Sequence, residues 1–319
     1  MLENLDRGVF MAKQKPKMEF RYYTMPEKEL VLALTGDEWI QEYGKDIDYL
    51  HFHNFMEVGI CYYGSGEVVL GDEYYHFCDN SYVIIPPNFP HTTNADEGTK
   101  AYWEWMYFDM DSMIEDAMKT ESMGVRSRVR KELYRKAFFL RGEEHPQMEA
   151  VIKLILREIS EKKSFYRRSI RGYLTAFVAE MLRLYEKEAE DTQTKHGYMV
   201  IAPAIEYAEM YYSQDVKISD MADACSLSES HFRRNFQEYM HMRPLDYLNL
   251  VRVEKACDML TKSNASMEEV AYRNGFGNVS TFNRNFKKII GVTPYQYKRT
   301  SDNYESKLLN YKISAKKGW

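Results

Sequence analysis

Residues 228–247, SESHFRRNFQEYMHMRPLDY, align without a gap on residues 278–297, NVSTFNRNFKKIIGVTPYQY. Ser230, Phe232, Arg234, Asn235, Phe236, Pro244 and Tyr247 recur as Ser280, Phe282, Arg284, Asn285, Phe286, Pro294 and Tyr297, which marks an internal duplication. Upstream, ISDMADACSL (218–227) aligns on MEEVAYRNGF (267–276), so the second copy carries one extra residue, Gly277. Each copy reads as a short helix, a tight turn and a second helix. Ile218, Met221 and Ala222 have the spacing of one helix face, as do Met267, Val270 and Ala271. Ser219 and Ser266 are the expected N-caps. Asn274-Gly275 supplies the turn of copy two, because Gly tolerates a positive φ. Copy one has Ser226 there, which predicts a turn built differently. Phe232/Phe236 and Phe282/Phe286, four residues apart, anchor each second helix. The opposite faces are left with Ser230, Arg233 and Arg234, and with Ser280, Thr281, Asn283 and Arg284. These are short polar groups and guanidinium forks, side chains that can hydrogen-bond base edges in a major groove.

The chain around this duplication has 319 residues, enough for two domains. Apolar residues make up 45% and charged residues 29%, a globular balance that excludes global disorder. No run of about 18 uncharged apolar residues occurs, and the N-terminus lacks an apolar core before a cleavage site. The expected compartment is the cytoplasm, with no membrane partner. Cys61, Cys78, Cys225 and Cys257 are far apart and form no C-x-x-C, as buried thiols in a reducing cytosol would. Net charge is −5, unevenly spread. Residues 198–319 hold 17 Lys and Arg against 14 Asp and Glu, whereas residues 1–197 hold 26 against 34. An acidic front and a mildly basic back point to two modules with different partners.

The front is rich in β-branched and aromatic residues. GICYYGSGEVVLGDEYYHF reads as short strands separated by turns, SYVIIPPNFPH as a strand stopped by prolines, and AYWEWMYFDM as a further strand. From residue 146 the spacing turns helical, with Pro146 at a helix start and a stripe from Tyr173 to Tyr185. EKEAEDTQTKHG (186–197) is polar and aperiodic, a linker. The expected fold class is α+β: a β-barrel with packed helices, then an all-α domain of two helix-turn-helix units. The expected divisions are an arm at 1–19, a barrel at 20–125 and a helical packing or dimerisation region at 126–187. A linker at 188–199, the double helix-turn-helix domain at 200–300 and a tail at 301–319 complete them.

The duplicated segment, with the helix VRVEKACDMLTKS joining its halves, resembles the AraC/XylS family of bacterial transcription regulators over residues 200–299. The resemblance implies base contacts from Ser230, Arg233, Arg234, Val279, Ser280, Thr281, Asn283 and Arg284, and phosphate contacts from Lys287 and Lys288. In the front, His51-x-His53-x3-Glu57-x6-Gly64 and Asn80-x5-Pro86-x-Asn88-x2-His91-x2-Asn94 resemble the two motifs of cupin barrels. Asn80 and Asn88 stand where that family usually has Gly. Alternation on a strand lets His51, His53 and Glu57 share the inner face. With His91 they form a set able to contact an effector or hold a divalent metal. Trp103, Trp105 and Tyr107 alternate beside them, with Tyr62 and Tyr63 nearby; aromatic faces with His and Glu acceptors suit a sugar or related polyol. The reading is a non-enzymatic, effector-controlled regulator that needs no cofactor. Operator DNA, a small molecule, a second copy of the chain and RNA polymerase are the implied partners. The alternative is a metal-dependent cupin enzyme, an oxygenase or isomerase, with a DNA-binding tail.

Overall fold

A computed structural model describes residues 19–21, 23, 25, 28–44, 50–189, 197–240 and 242–299. The arm apart from Glu19, the middle of the linker (190–196) and the tail lie outside the described residues.

Alternating side chains in the front build two facing sheets. One orders β1 (Glu19–Arg21), β4 (His51–His53), β9 (His91–Ala95), β6 (Gly66–Leu70) and β7 (Glu73–Phe77). The other orders β11 (Phe138–Arg141), β8 (Ser81–Ile85), β5 (Met56–Tyr63), β10 (Ala101–Phe108) and β2 (Leu32–Leu34), with β3 (Ile40–Gln41) on the far end of β10. Only β1 and β4 pair in parallel among the described strands. β5 shows why the sheets lie as they do. Its Glu57, Gly59 and Cys61 face inward, while Met56, Val58 and Ile60 face a helical layer. Gly59 lets Trp105 of β10 lie flat on the strand; a Cβ there would come within 2.4 Å of the indole.

The helical layer comprises α1 (Met110–Ala117), α2 (Met123–Leu133), α3 (Pro146–Glu161) and α4 (Tyr166–Ala189). α3 and α4 match the sequence reading, and Pro146 occupies the first turn as expected. The expected division at 125/126 falls inside α2, and the stretch expected to be helical contains β11. Phe138 and Leu140 face the helical layer there, and the segment pairs with β8. The linker expected at 188–199 has helical ends, because α4 runs to Ala189 and α5 (Gly197–Tyr211) has begun by Gly197.

Among the described residues the back of the chain is helical: α5, α6 (Ile218–Ala224), α7 (Glu229–Met240), α8 (Pro244–Lys262), α9 (Met267–Arg273) and α10 (Val279–Ile290). The duplication is visible in three dimensions. Phe232 meets Phe236 edge-on at 5.4 Å and Phe282 meets Phe286 at 5.5 Å. Tyr247 then packs on Phe236 at 5.6 Å, and Tyr297 on Phe286 at 5.5 Å. Both turns are built alike, contrary to expectation. Ser226 adopts φ 56°, close to the 78° of Gly275. Leu227 N–H bonds to the Ala222 carbonyl just as Phe276 N–H bonds to that of Ala271. The hydrogen-bond pattern that ends the helix imposes the left-handed residue whatever side chain stands there. Ser266 caps α9 through its hydroxyl. Ser219 is no cap: it lies inside α6, whose N-cap is Lys217, two residues earlier, and Asp220 accepts from the Lys217 N–H. Of the cysteines, Cys61 and Cys257 are buried as expected; Cys78 is exposed and Cys225 partly so, and all four are free thiols.

Two stability outcomes follow. Ser226→Gly relieves the left-handed strain, worth about 1–2 kcal/mol, against the added entropy of an unfolded Gly, so chemical denaturation should show a net gain below about 1 kcal/mol. Gly275→Ala should lose about 1–3 kcal/mol, since its Cβ would also meet the Tyr212 carbonyl at 2.3 Å. A third concerns pH. Burial in α8 pushes the Glu254 carboxyl up to about 8, against a partial lowering by Lys255. The folded chain therefore holds a proton that the unfolded chain releases. The resulting stability is fully present below the ordinary carboxylate range and lost as pH rises through about 8. Glu254→Gln should flatten that part of the pH–stability curve.

Candidate DNA-reading and ligand sites

The faces of α7 and α10 opposite the Phe anchors carry the residues expected to read bases. Ser230, Arg233, Arg234, Ser280, Asn283 and Arg284 are exposed, and Val279 and Thr281 are half-buried. Asn278 caps α10 by accepting from the Thr281 N–H, which holds the first turn of the helix and the side chains on it in place. The charges differ in availability. Arg233 donates to Glu229 one turn back, at 2.6 and 2.8 Å. Lys288 reaches Asp246 at the start of α8, at 3.1 Å. Arg234, Arg284 and Lys287 have no ion-pair partner among the described residues. An exposed pair contributes little stability, so Arg233 and Lys288 can exchange it for a phosphate or base at small cost.

The barrel gathers His51, His53, Glu57 and His91, all buried, with one ligand atom from each lying within 4.8 Å of the others. They do not share one strand. The histidines project from the first sheet, where His51 of β4 pairs with His91 of β9, and Glu57 projects from β5 of the second. The residues between them turn the chain from one sheet to the other, so the cluster bridges the barrel. His53 Nε2 lies 2.5 Å and His91 Nε2 3.0 Å from the same Glu57 oxygen. Each Nδ1 lies against a backbone carbonyl, Phe55 for His53 at 3.0 Å and Phe89 for His91 at 2.8 Å. A carbonyl only accepts, so these contacts assign the ring proton to Nδ1 and aim the Nε2 lone pairs at the carboxylate. His51 Nε2 is buried with no hydrogen-bond partner among the described residues. Burial pushes the His51 imidazole well below its usual range, aided by the charges of Arg21, His91 and His53. Burial also lowers His53, partly offset by Glu57. For Glu57 burial acts upward, but a proton shared from His91 or His53 outweighs it and holds the carboxyl down at about 2. An anion facing imidazole lone pairs is completed by a shared proton or a cation. Histidines that donate Nδ1–H to a carbonyl while presenting Nε2 are oriented as metal ligands are. The four residues therefore fit a divalent metal.

The aromatic residues divide. Tyr107 stands beside the cluster, its ring 5.4 Å from His53. Trp103 and Trp105 are fully buried and stack on each other at 4.8 Å, with Phe77 against one and Tyr43 against the other. Their faces belong to the core rather than to a stacking platform. Tyr62 and Tyr63 are exposed on the outside, where Tyr62 stacks on Tyr102 and donates to Glu104. Sequence reasoning did not single out Asn88 or Glu209 as functional. Asn80 and Asn88 take φ 62° and 61°, the conformation for which the cupin motif uses Gly and which Asn tolerates best among other residues.

The comparisons with known proteins fall on the same two regions. Residues 42–178 match the AraC-like ligand binding domain, and residues 221–300 match a helix-turn-helix domain. An uncharacterised HTH-type transcriptional regulator of Staphylococcus aureus (strain MSSA476) is 30% identical over 110 residues, 33% of this chain and 15% of that protein. The HTH-type regulator YdeC of Bacillus subtilis (strain 168) is 25% identical over 149 residues, 46% of this chain and 51% of that one. The chain thus spans between about a seventh and a half of these relatives' lengths. Among solved structures, the C-terminal domain of the response regulator AraT from Geobacillus stearothermophilus is 28% identical. That match covers 32% of this chain and 84% of that one, with a TM-score of 0.31. Fatty-acid-bound ToxT from Vibrio cholerae is 12% identical over 84% of this chain and 93% of that one, with a TM-score of 0.42. No described helix is long and apolar enough to cross a membrane. With a ligand-binding barrel in front and a duplicated helix-turn-helix module behind, both matched over their own residues, the chain belongs to the AraC-type family of transcription regulators.

Proposed function

We propose that the chain binds double-stranded operator DNA sequence-specifically and that a small molecule in the barrel controls this binding. The observation that carries the reading is the pair of equivalent helices, α7 and α10, anchored by the same Phe–Phe–Tyr packing and exposing polar forks on the opposite face. Two such helices suit successive major-groove segments about 34 Å apart. Ser230, Arg233 and Arg234 read one segment; Val279, Ser280, Thr281, Asn283 and Arg284 read the other. Val279 suits a thymine methyl. Lys287 and Lys288 hold phosphates. Two copies of the chain on paired half-sites, in contact with RNA polymerase, complete the reading.

The effector contacts His51, His53, Glu57, His91 and Tyr107. A ligand rich in hydroxyls, a sugar or related polyol, suits these acceptors, although Trp103 and Trp105 supply walls rather than a stacking face. A second reading, a divalent metal on the same four residues, is favoured by the convergence of two imidazole Nε2 atoms on one carboxylate oxygen beside the unsatisfied Nε2 of His51. Such an ion would supply a fixed positive charge that draws the two sheets together.

Selection of duplexes from a random library tests the DNA reading; recovery of no preferred sequence overturns it. On the recovered site, Arg284→Ala should cost about 1–3 kcal/mol and relax preference in one half only. Lys287→Ala should weaken all sequences alike and flatten the salt slope by about one unit. Thermal unfolding with sugars, polyols and divalent metals separates the effector readings, because a ligand of the native state raises Tm. His91→Ala should abolish whichever shift is found.

A further inference from the structure

The loop joining β8 to β9 is the floor of the His/Glu cluster. The Phe89 carbonyl accepts from His91 Nδ1, and the Asn88 N–H bonds to the His53 carbonyl at 2.7 Å. Asn88 itself is buried and left-handed. Its Nδ2 donates at 2.9 Å to Glu209, on the first helix of the DNA-reading module. The other oxygen of Glu209 accepts from Arg130 of α2 at 2.6 Å, and Arg130 is itself oriented by Asp111 of α1 at 2.7 Å. The Glu209 side chain is 8% exposed. Within its own module Glu209 also accepts from the Tyr247 hydroxyl at 3.4 Å, the tyrosine that packs on Phe236 of α7.

We infer that Asn88 and Glu209 form a relay by which the state of the barrel cluster sets the docking of the DNA-reading module. The inference rests on the proposed ligand-controlled DNA binding and names its route. A largely buried carboxylate must keep its partners, since an unpaired charge there is costly. Any ligand that moves His53 or His91 moves the carbonyls bonded to them, and with those the backbone of Asn88. Glu209 then follows Asn88 or loses it. Because Tyr247 and Phe236 lie behind Glu209, the change reaches the first reading helix. The motif's usual Gly at position 88 would allow the same loop but carry no side chain to Glu209. By linkage, DNA bound to the module shifts the barrel in return.

Asn88→Gly is the clean test, because Gly accepts φ 61° and only the side-chain contact is lost. Hydrogen exchange on the full-length chain, without ligand or DNA, reads the relay directly. In Asn88→Gly the amides of α5 should exchange about tenfold faster, as expected when a charged hydrogen bond is lost, with β4, β5 and β8 unchanged. His91→Gln and Glu57→Gln, two independent perturbations of the cluster, should each change α5 exchange in the parent chain and add nothing in the Asn88→Gly background. Unaltered α5 exchange in Asn88→Gly overturns the relay. So do cluster substitutions that leave parent α5 unchanged, or that act equally in both backgrounds. Affinity for a duplex selected by the parent chain supplies the second arm, with the same pattern expected. If no duplex is recovered, the DNA reading fails, while the exchange measurements still decide the relay.

Discussion

The strand from Met56 to Tyr63 is buried on both faces along most of its length, and the front half of the molecule is organised by that constraint. A strand with two apolar faces needs two layers to cover it. The inner layer is the opposite sheet, and the outer layer is the helices from Met110 to Ala189. Gly59 sits where the inner row would otherwise collide with Trp105. Glu57 begins that inner row, facing three histidines of the other sheet. A carboxylate so placed cannot reach water, so the imidazoles around it are part of the condition for the strand to lie there.

The reading module solves a different problem by repetition. Each unit has a small buried patch, and neither patch would make a stable domain alone. α8 joins them, contributing Tyr247, Leu248 and Val251 to the first core and Val253, Ala256 and Cys257 to the second. Arg252 pins this spacer to the end of α5 through the Tyr212 and Gln214 carbonyls, and it lies against Gly275 in the turn of the second unit. The separation of α7 and α10 is thereby held by packing and hydrogen bonds rather than by a flexible connection.

Much of this was legible in the residues. The Phe pairs, the recurring Pro and Tyr, the helix starting at Pro146 and the strand pattern of the front all act locally, and local patterns survive in sequence. What was misread depended on partners far along the chain. Ser219 reads as a cap until the helix is seen to start at Ile218, with Lys217 in the cap position. Ser226 reads as a different turn, because propensity disfavours a left-handed serine while the helix-ending hydrogen bonds demand one. Trp103 and Trp105 read as stacking faces for a ligand, because alternation shows which face a ring is on but not whether another ring already covers it. The strand Phe138–Arg141 is too short to announce itself among helices.

The sequence by itself determined the two modules, the duplication and the residue types available for reading DNA and binding a ligand, since periodicity and spacing are properties of neighbouring residues. Tertiary structure alone decided that Glu57 faces the histidines from the opposite sheet, and that Asn88 meets Glu209 across 121 positions of chain. Those contacts follow from how whole sheets and helices close on one another, and no local pattern encodes the closing of a layer.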